Sequence, residues 1–235
     1  MAADMMTNPV VETIKRKYPQ SVDLKKLTNP PSAELRESYP ALAELIERAE
    51  IYTGWRSERD KKRGRSGHRK FYFWKDGKGK LVGLIGKSLS PESLESQLKR
   101  AIGHHRLILK EFVIITDDAE FANGHDFGLP AIEGMFSASE MPEVHLDLYW
   151  PETDPSLPKA NQVVVFGGEA NGDFWVYDKI DGVAYNATAF GPVSTRGLIR
   201  VGKTQVYKFP DNTTFDEYVE RFAEHNLEYL KRVNE

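Results

Sequence analysis

The C-terminal part of the sequence alternates short strand-like runs with glycine-containing turns. Runs rich in β-branched and aromatic residues cover residues 162–166, 173–178, 183–185, 198–201 and 205–207. Asn171-Gly172 and Asp181-Gly182 separate the first three runs. Both dipeptides favour tight hairpin turns, because asparagine, aspartate and glycine tolerate positive φ. Strands joined by such short turns pair antiparallel, since a parallel pair needs a long crossover connection. The sequence therefore predicts an antiparallel sheet in this region.

Helical patterns lie on both sides of this predicted sheet. Before it, Asn8-Pro9 is typical of a helix start, and Pro40 begins a stretch whose apolar residues recur at helical spacing through Tyr52. After it, Thr214 and Glu217 fit a capping box at the start of a strongly amphipathic segment. We therefore expect the α+β class, with a mostly antiparallel sheet bracketed by helices.

The N-terminal part contains its own hairpin pattern. Residues 71–74 and 81–85 are strand-like and flank a glycine-rich turn at residues 76–79. A helix is predicted after the hairpin, where Ser90 precedes Pro91. This pattern predicts a helix-hairpin-helix module over residues 1–110, followed by an α+β domain over residues 111–235. One continuous fold is the alternative.

Composition excludes several classes of protein. The chain has 235 residues, of which 40% are hydrophobic and none is cysteine. This composition excludes a disulfide framework, a cysteine nucleophile and a zinc–thiolate site. There is no membrane-length apolar run and no secretory signal, so we expect a cytoplasmic protein without a membrane partner. Phosphate-binding loops, nucleophile elbows and zinc-peptidase helices are also missing, so we predict no cofactor and favour a binding protein over an enzyme.

The charge of the chain is distributed very unevenly. Residues 1–50 carry a net charge of -1, residues 51–110 carry +11 and residues 111–235 carry -13, which together give -3. Such asymmetry indicates a charged partner on at least one side, or two parts of one molecule that attract each other.

A basic segment at residues 56–70 has almost no apolar content, and we predict that it is a mobile loop. Cations neutralise phosphates, and aromatic side chains stack on bases, so a basic segment next to aromatic residues suits nucleic acid. The candidate nucleic-acid-binding residues are Arg56, Arg59, Lys61, Lys62, Arg63, Arg65, Arg69, Lys70 and Trp74. A solvated loop that only keeps the surface soluble is the alternative.

A second polar cluster follows the strand-like residues 112–115. Asp117, Asp118 and His125 are residue types that ligate metals, and carboxylates at a strand end suit Mg²⁺. No recognised ligand spacing joins them. The sequence therefore leaves open whether they are functional or a solvated loop, and we predict no metal site.

Three segments carry a resemblance to the SUKH superfamily, which includes many bacterial immunity proteins. Residues 136–141 resemble its serine-x-x-glutamate helix start, residues 165–178 resemble its strand–glycine-aspartate–strand core, and residues 215–222 its final helix. The helix and asparagine-glycine-glycine turn that members carry before this core are not matched. The resemblance implies a protein-binding module that neutralises a toxin.

On this interpretation, the acidic C-terminal part would dock on a basic partner such as a nuclease toxin. Charge would speed the encounter, and aromatic anchors would supply affinity. The candidate partner-binding residues are Glu169, Asp173, Trp175, Tyr177 and Asp178. A sheet covered on both faces by the chain itself is the alternative interpretation of the aromatic residues.

The alternative function is a nucleic-acid-binding or nuclease-like protein that acts through residues 56–110. Tyr72 and residues 84–88 weakly resemble the strand motifs of GIY-YIG nucleases, but Leu84 stands where the second tyrosine belongs. We therefore expect binding rather than cleavage. The sequence does not indicate the oligomeric state.

Overall fold

A computed structural model describes residues 8–28, 30–63, 68–79, 81–87, 95, 98–99, 103, 105–111, 150–151, 154–168, 174–187 and 198–232. Within these ranges the chain combines helices with antiparallel sheets, which confirms the α+β class. None of the helices described is long and apolar enough to cross a membrane.

Four strands of the N-terminal part form an antiparallel sheet in the order β1-β2-β3-β4. The elements are α1 (Pro9–Lys17), β1 (Val22–Leu27), α2 (Ala33–Ser38), α3 (Pro40–Glu47), β2 (Glu50–Trp55), α4 (Glu58–Arg63), β3 (His68–Lys75), β4 (Leu81–Lys87) and α5 (His105–Glu111). The predicted hairpin is confirmed as β3 and β4. Its turn is closed by the Gly79 amide, which donates to the Asp76 carbonyl at 2.8 Å.

Five strands of the C-terminal part form a second antiparallel sheet in the order β5-β6-β7-β9-β8. They are β5 (Val163–Gly168), β6 (Phe174–Asp178), β7 (Ala184–Ala187), β8 (Ile199–Arg200) and β9 (Val206–Lys208), followed by the long helix α6 (Phe215–Arg232). The predicted capping box is present, since the Thr214 amide donates to the Glu217 carboxylate at 2.9 Å and the Glu217 amide donates to the Thr214 hydroxyl at 3.3 Å.

The structure corrects the predicted helix through Tyr52. Helix α3 ends at Glu47, and Ile51 and Tyr52 lie on β2, where they pair with Tyr72 and Phe71. The apolar spacing continued past the helix end because both residues are buried on opposite faces of the sheet. Pairing with a neighbouring strand thus decided the structure of a segment whose local pattern also fits a helix.

Strand β1 was not predicted from the sequence, because its exposed lysines obscure the alternation. It has a bulge between Val22 and Lys25, and Asp23 has a positive φ of 54°. Gly54 on β2 accommodates this bulge, since a Cβ atom at that position would lie 3.0 Å from the Val22 carbonyl oxygen.

The largest buried cluster contains side chains from both sides of residue 110. Leu45 and Trp74 belong to it, as do Phe166, Phe215 and Val219 from the C-terminal part. A second cluster forms around Val176 and Tyr185 on the other face of the C-terminal sheet, and a third between α1 and the N-terminal sheet. The two parts therefore share one apolar core.

Candidate functional site

The cationic end of the N-terminal sheet is the candidate site. In the strand register, Trp55 at the end of β2 faces His68 at the start of β3, and Arg69 faces Lys87 of β4. We use the name cationic end for this end of the sheet together with α4. Arg56 directly follows Trp55, so residues far apart in the sequence are gathered at one place by antiparallel pairing.

Part of the predicted mobile loop is a helix, which corrects that prediction. Residues 58–63 form α4, and residues 68–70 already belong to β3. Ser57 starts the helix, because its hydroxyl oxygen accepts from the Asp60 amide at 3.2 Å and its carbonyl accepts from the Lys61 amide at 3.1 Å. A local cap therefore orders a segment without buried side chains.

An ion pair fixes which face of α4 points away from the sheet. Lys61 Nζ lies 2.7 Å from the carboxylate of Asp23 on β1. The hydrogen bond from Lys61 holds the pKa of Asp23 below its ordinary value. Arg59, Lys62 and Arg63 share one helix face by their spacing of three and four residues, and this face lies opposite Lys61.

The three cations on that face are all exposed. Within the described part of the chain, Arg59, Lys62 and Arg63 have no ion-pair or hydrogen-bond partner. Arg56 differs, because its Nε lies 4.0 Å from the Asp60 carboxylate. The cationic end therefore presents three exposed positive charges that form no ion pair with any other described residue.

Trp55 and His68 form an aromatic pair at the same end of the sheet. Their ring centroids are 5.0 Å apart, with 71° between the ring planes. The Thr53 hydroxyl lies 2.9 Å from His68 Nε2 and donates to the Arg69 carbonyl at 3.2 Å. The contact between the Thr53 hydroxyl and His68 Nε2 holds the imidazole in place in either tautomer.

The surroundings of His68 favour its neutral form. Burial lowers its pKa below the ordinary value, and the charge of the adjacent Arg69 lowers it further. The imidazole is therefore a neutral, planar group among cations. Sequence reasoning missed Trp55, Thr53 and His68; the available signal was a tryptophan directly before the basic segment.

Trp74 was predicted from the sequence to bind nucleic acid, but in the structure it is a core residue. Its side chain is 1% exposed, and its indole N–H donates to the Leu45 carbonyl at 2.7 Å. Tyr72 and Trp74 of β3 face the core shared with α3 and α6, and Phe71 and Phe73 belong to the third cluster, so the aromatic run contributes to packing rather than to a surface.

The other predicted basic residues are placed differently. Arg69 is buried, and its Nη1 donates to the His68 carbonyl at 3.4 Å. Lys70 is half-buried, with Nζ 5.2 Å from the ring centroid of Tyr72. Arg65 lies outside the described residues, so its role stays a prediction.

The predicted aromatic anchors of the C-terminal part lie within the fold. Tyr177 is 2% exposed, and Trp175 is partly buried with its ring centroid 5.3 Å from that of Phe209. Asp178 is also buried, and its carboxylate accepts from the Ile180 amide at 2.9 Å. These positions match the alternative of a sheet covered on both faces. Glu169 and Asp173 lie outside the described residues.

A buried polar cluster joins the two parts of the chain. His105 Nδ1 of α5 lies 3.1 Å from the Tyr177 hydroxyl, and burial lowers the pKa of His105 to about 4. Tyr39 donates to Asp216, and burial raises the pKa of Tyr39 above its ordinary value. The cluster gives hydrogen-bond partners to the buried side chains of His105, Tyr39 and Tyr177, whereas Asp216 is exposed at its edge.

No group of three or more metal-ligating side chains occurs among the residues that the structure describes. The candidate metal-ligating residues Asp117, Asp118 and His125 lie outside these residues.

Comparisons with known proteins add no assignment. No protein-family model matches the chain, and no curated protein or solved structure matches it significantly. The resemblance to the SUKH superfamily therefore stays a prediction.

Proposed function

We propose that this protein binds nucleic acid through the cationic end of its N-terminal sheet. The observation that supports this proposal is the exposed face of α4, where Arg59, Lys62 and Arg63 lie together opposite the Lys61–Asp23 ion pair. Three cations on one face of a positioned helix match the closely spaced charges of a phosphate backbone.

Charge contrast along the chain agrees with this placement. Residues 51–110 carry +11 although the whole chain carries -3, and this segment supplies all the basic residues of α4. A local positive field steers a polyanion to that region and orients it on arrival.

The test compares a triple variant with a control of equal charge change. Arg59→Ala, Lys62→Ala and Arg63→Ala are combined in one protein. The control combines Lys75→Ala, Lys78→Ala and Lys203→Ala, which replaces three exposed lysines outside the cationic end. Fluorescence anisotropy with labelled DNA and RNA gives the dissociation constant at several salt concentrations.

We expect the triple variant to lose most of the affinity. The salt slope, which is the steepness with which the logarithm of the binding constant falls with the logarithm of the salt concentration, should decrease by about 2 to 3, because each lost phosphate contact removes roughly 0.7 to 0.9 from it. The control should change both quantities much less. Equal losses in the two variants would show that only net charge matters. Added Mg²⁺ tests cleavage, and we expect the oligonucleotide to remain intact.

A second candidate function is recognition of a basic protein by the acidic part of the chain, as for a toxin-neutralising protein. It is favoured by residues 112–149, which contain 8 acidic residues and no lysine or arginine. It has less support, because the aromatic anchors that it needs are packed in the fold. Association with a basic partner purified from the native host should slow as salt rises; a salt-independent rate would contradict it.

A further inference from the structure

The paired strands β2 and β3 change from core to surface along one face. Ile51 faces Tyr72, Thr53 faces Lys70 and Trp55 faces His68. Ile51 and Tyr72 are buried in the shared core, whereas the last two pairs are only partly buried.

Trp55 and His68 are therefore an aromatic pair beyond the core. Neither belongs to a buried apolar cluster of the described residues. Each ring nevertheless has a defined orientation, since the rings meet edge to face and His68 is held by Thr53. A fixed aromatic surface costs little conformational entropy when a planar ligand stacks on it.

The chemistry of the pair differs from that of the surrounding cations. The indole is uncharged, and burial together with Arg69 lowers the pKa of the imidazole, which favours its neutral form. Neither ring has a charge that would attract a phosphate. Arg56, the next residue in the chain, and the exposed face of α4 supply charge instead. The site thus combines phosphate-binding groups with a neutral planar surface.

We propose that the cationic end binds single-stranded rather than double-stranded nucleic acid, with an unpaired base stacked on Trp55 beside His68. This proposal rests on the nucleic-acid function proposed above. In a duplex both faces of each internal base are covered by neighbouring bases, so a side chain at the surface does not stack on them. In a single strand the base faces are accessible, and aromatic stacking adds to phosphate contacts without requiring a particular sequence.

The experiment measures binding of four probes of equal length to the full chain. The probes are a single-stranded oligothymidylate, the same strand with abasic sites in place of its bases, a duplex, and heparin as a polyanion without bases. Trp55→Leu removes the stacking ring but keeps apolar volume, and Trp55→Phe keeps an aromatic ring. Thermal unfolding followed by circular dichroism confirms that each variant is folded.

We expect wild type to prefer the single strand over the duplex and the abasic strand. Trp55→Leu should weaken binding of the single strand by about 5- to 150-fold, the range for loss of one base–aromatic stack. It should leave the affinity for the abasic strand and heparin unchanged, and Trp55→Phe should retain most of the single-strand affinity.

The outcomes separate this inference from the function on which it rests. Equal affinity for all four probes would overturn the stacking site but leave polyanion binding intact. The same holds if Trp55→Leu lowers the affinity for the oligothymidylate and for its abasic counterpart equally. If the Arg59, Lys62 and Arg63 triple variant binds every probe as wild type does, the proposed function fails, and the stacking inference fails with it.

Discussion

Lys61 of α4 forms an ion pair with Asp23 of β1, with Nζ 2.7 Å from the carboxylate oxygen. Asp23 lies in the bulge of the edge strand and has positive φ, so a local irregularity of β1 places the carboxylate beneath the helix. The pair joins two segments separated by α2, α3 and β2 in the chain. It decides which basic side chains of α4 remain available.

Asp23→Asn releases Lys61 and is expected to raise the affinity for nucleic acid. Both side chains are about half exposed, so the free energy of unfolding should change little. The substitution removes the negative charge of Asp23 and lets the flexible Lys61 side chain leave the sheet, and one added phosphate contact would steepen the salt slope by roughly 0.7 to 0.9. Dissociation constants measured against salt concentration check this. Weaker binding would mean that the ion pair is needed to position the helix.

Trp74→Phe is expected to destabilise the fold by about 2 kcal/mol. It removes the hydrogen bond to the Leu45 carbonyl and leaves a cavity in the shared core. Trp55→Phe serves as the matched control, since Trp55 lies outside the buried clusters and should cost less than about 1 kcal/mol. Urea unfolding followed by circular dichroism gives both values. Equal costs would contradict the assignment of Trp74 to the core.

Glu220→Ala is expected to destabilise the protein by about 1 to 2 kcal/mol. The Glu220 carboxylate of α6 accepts from the amides of Ala41 at 3.0 Å and Leu42 at 3.2 Å. It thereby caps α3, whose preceding residue Tyr39 provides no side-chain cap. Glu224→Ala removes an exposed carboxylate from the same helix and should have a much smaller effect in urea unfolding.

His105 is expected to make stability depend on pH between about 4 and 6.5. Its pKa is about 4 in the folded state against an ordinary value of 6.5, so the unfolded state binds more protons in this interval. The free energy of unfolding is therefore highest above pH 6.5 and falls as pH is lowered, by about 1.4 kcal/mol per unit and about 3 kcal/mol in all.

His105→Gln removes this contribution. The variant should be less stable than wild type at pH 7.5, and the difference should shrink as pH falls toward 4. Urea unfolding at several pH values checks this, with His225→Gln on the exposed face of α6 as the control. Parallel curves for wild type and His105→Gln would show that His105 is not the linked group.

Local signals in the sequence predicted the elements whose stabilising contacts are also local. The Thr214–Glu217 capping box and the turn closed between Asp76 and Gly79 involve residues three apart. Their hydrogen bonds form wherever the segment is placed, because no distant partner is needed. The antiparallel pairing of strands in the C-terminal part was predictable for the same reason, since β6 and β7 are joined by a tight turn.

Elements that depend on distant partners were predicted less well. Residues 50–52 continue the apolar spacing of α3, yet they form a strand because β3 supplies their hydrogen bonds. The candidate site shows the same limit. Trp74 is near the basic segment in the sequence, but the alternation of side chains along β3 directs it into the core. Trp55 lies beside His68 because of the register between β2 and β3.

The sequence by itself determined the α+β class, the helix caps, the hairpin turn and the concentration of positive charge in residues 51–110. The tertiary structure decided which of those charges are exposed and which aromatic residues accompany them. The physical reason is that composition and caps are properties of neighbouring residues, whereas burial depends on what packs against each face. Lys61 is held in an ion pair with Asp23, and Trp74 is held in the core by its hydrogen bond to the Leu45 carbonyl. The exposed face of α4 is therefore the surface available to a partner.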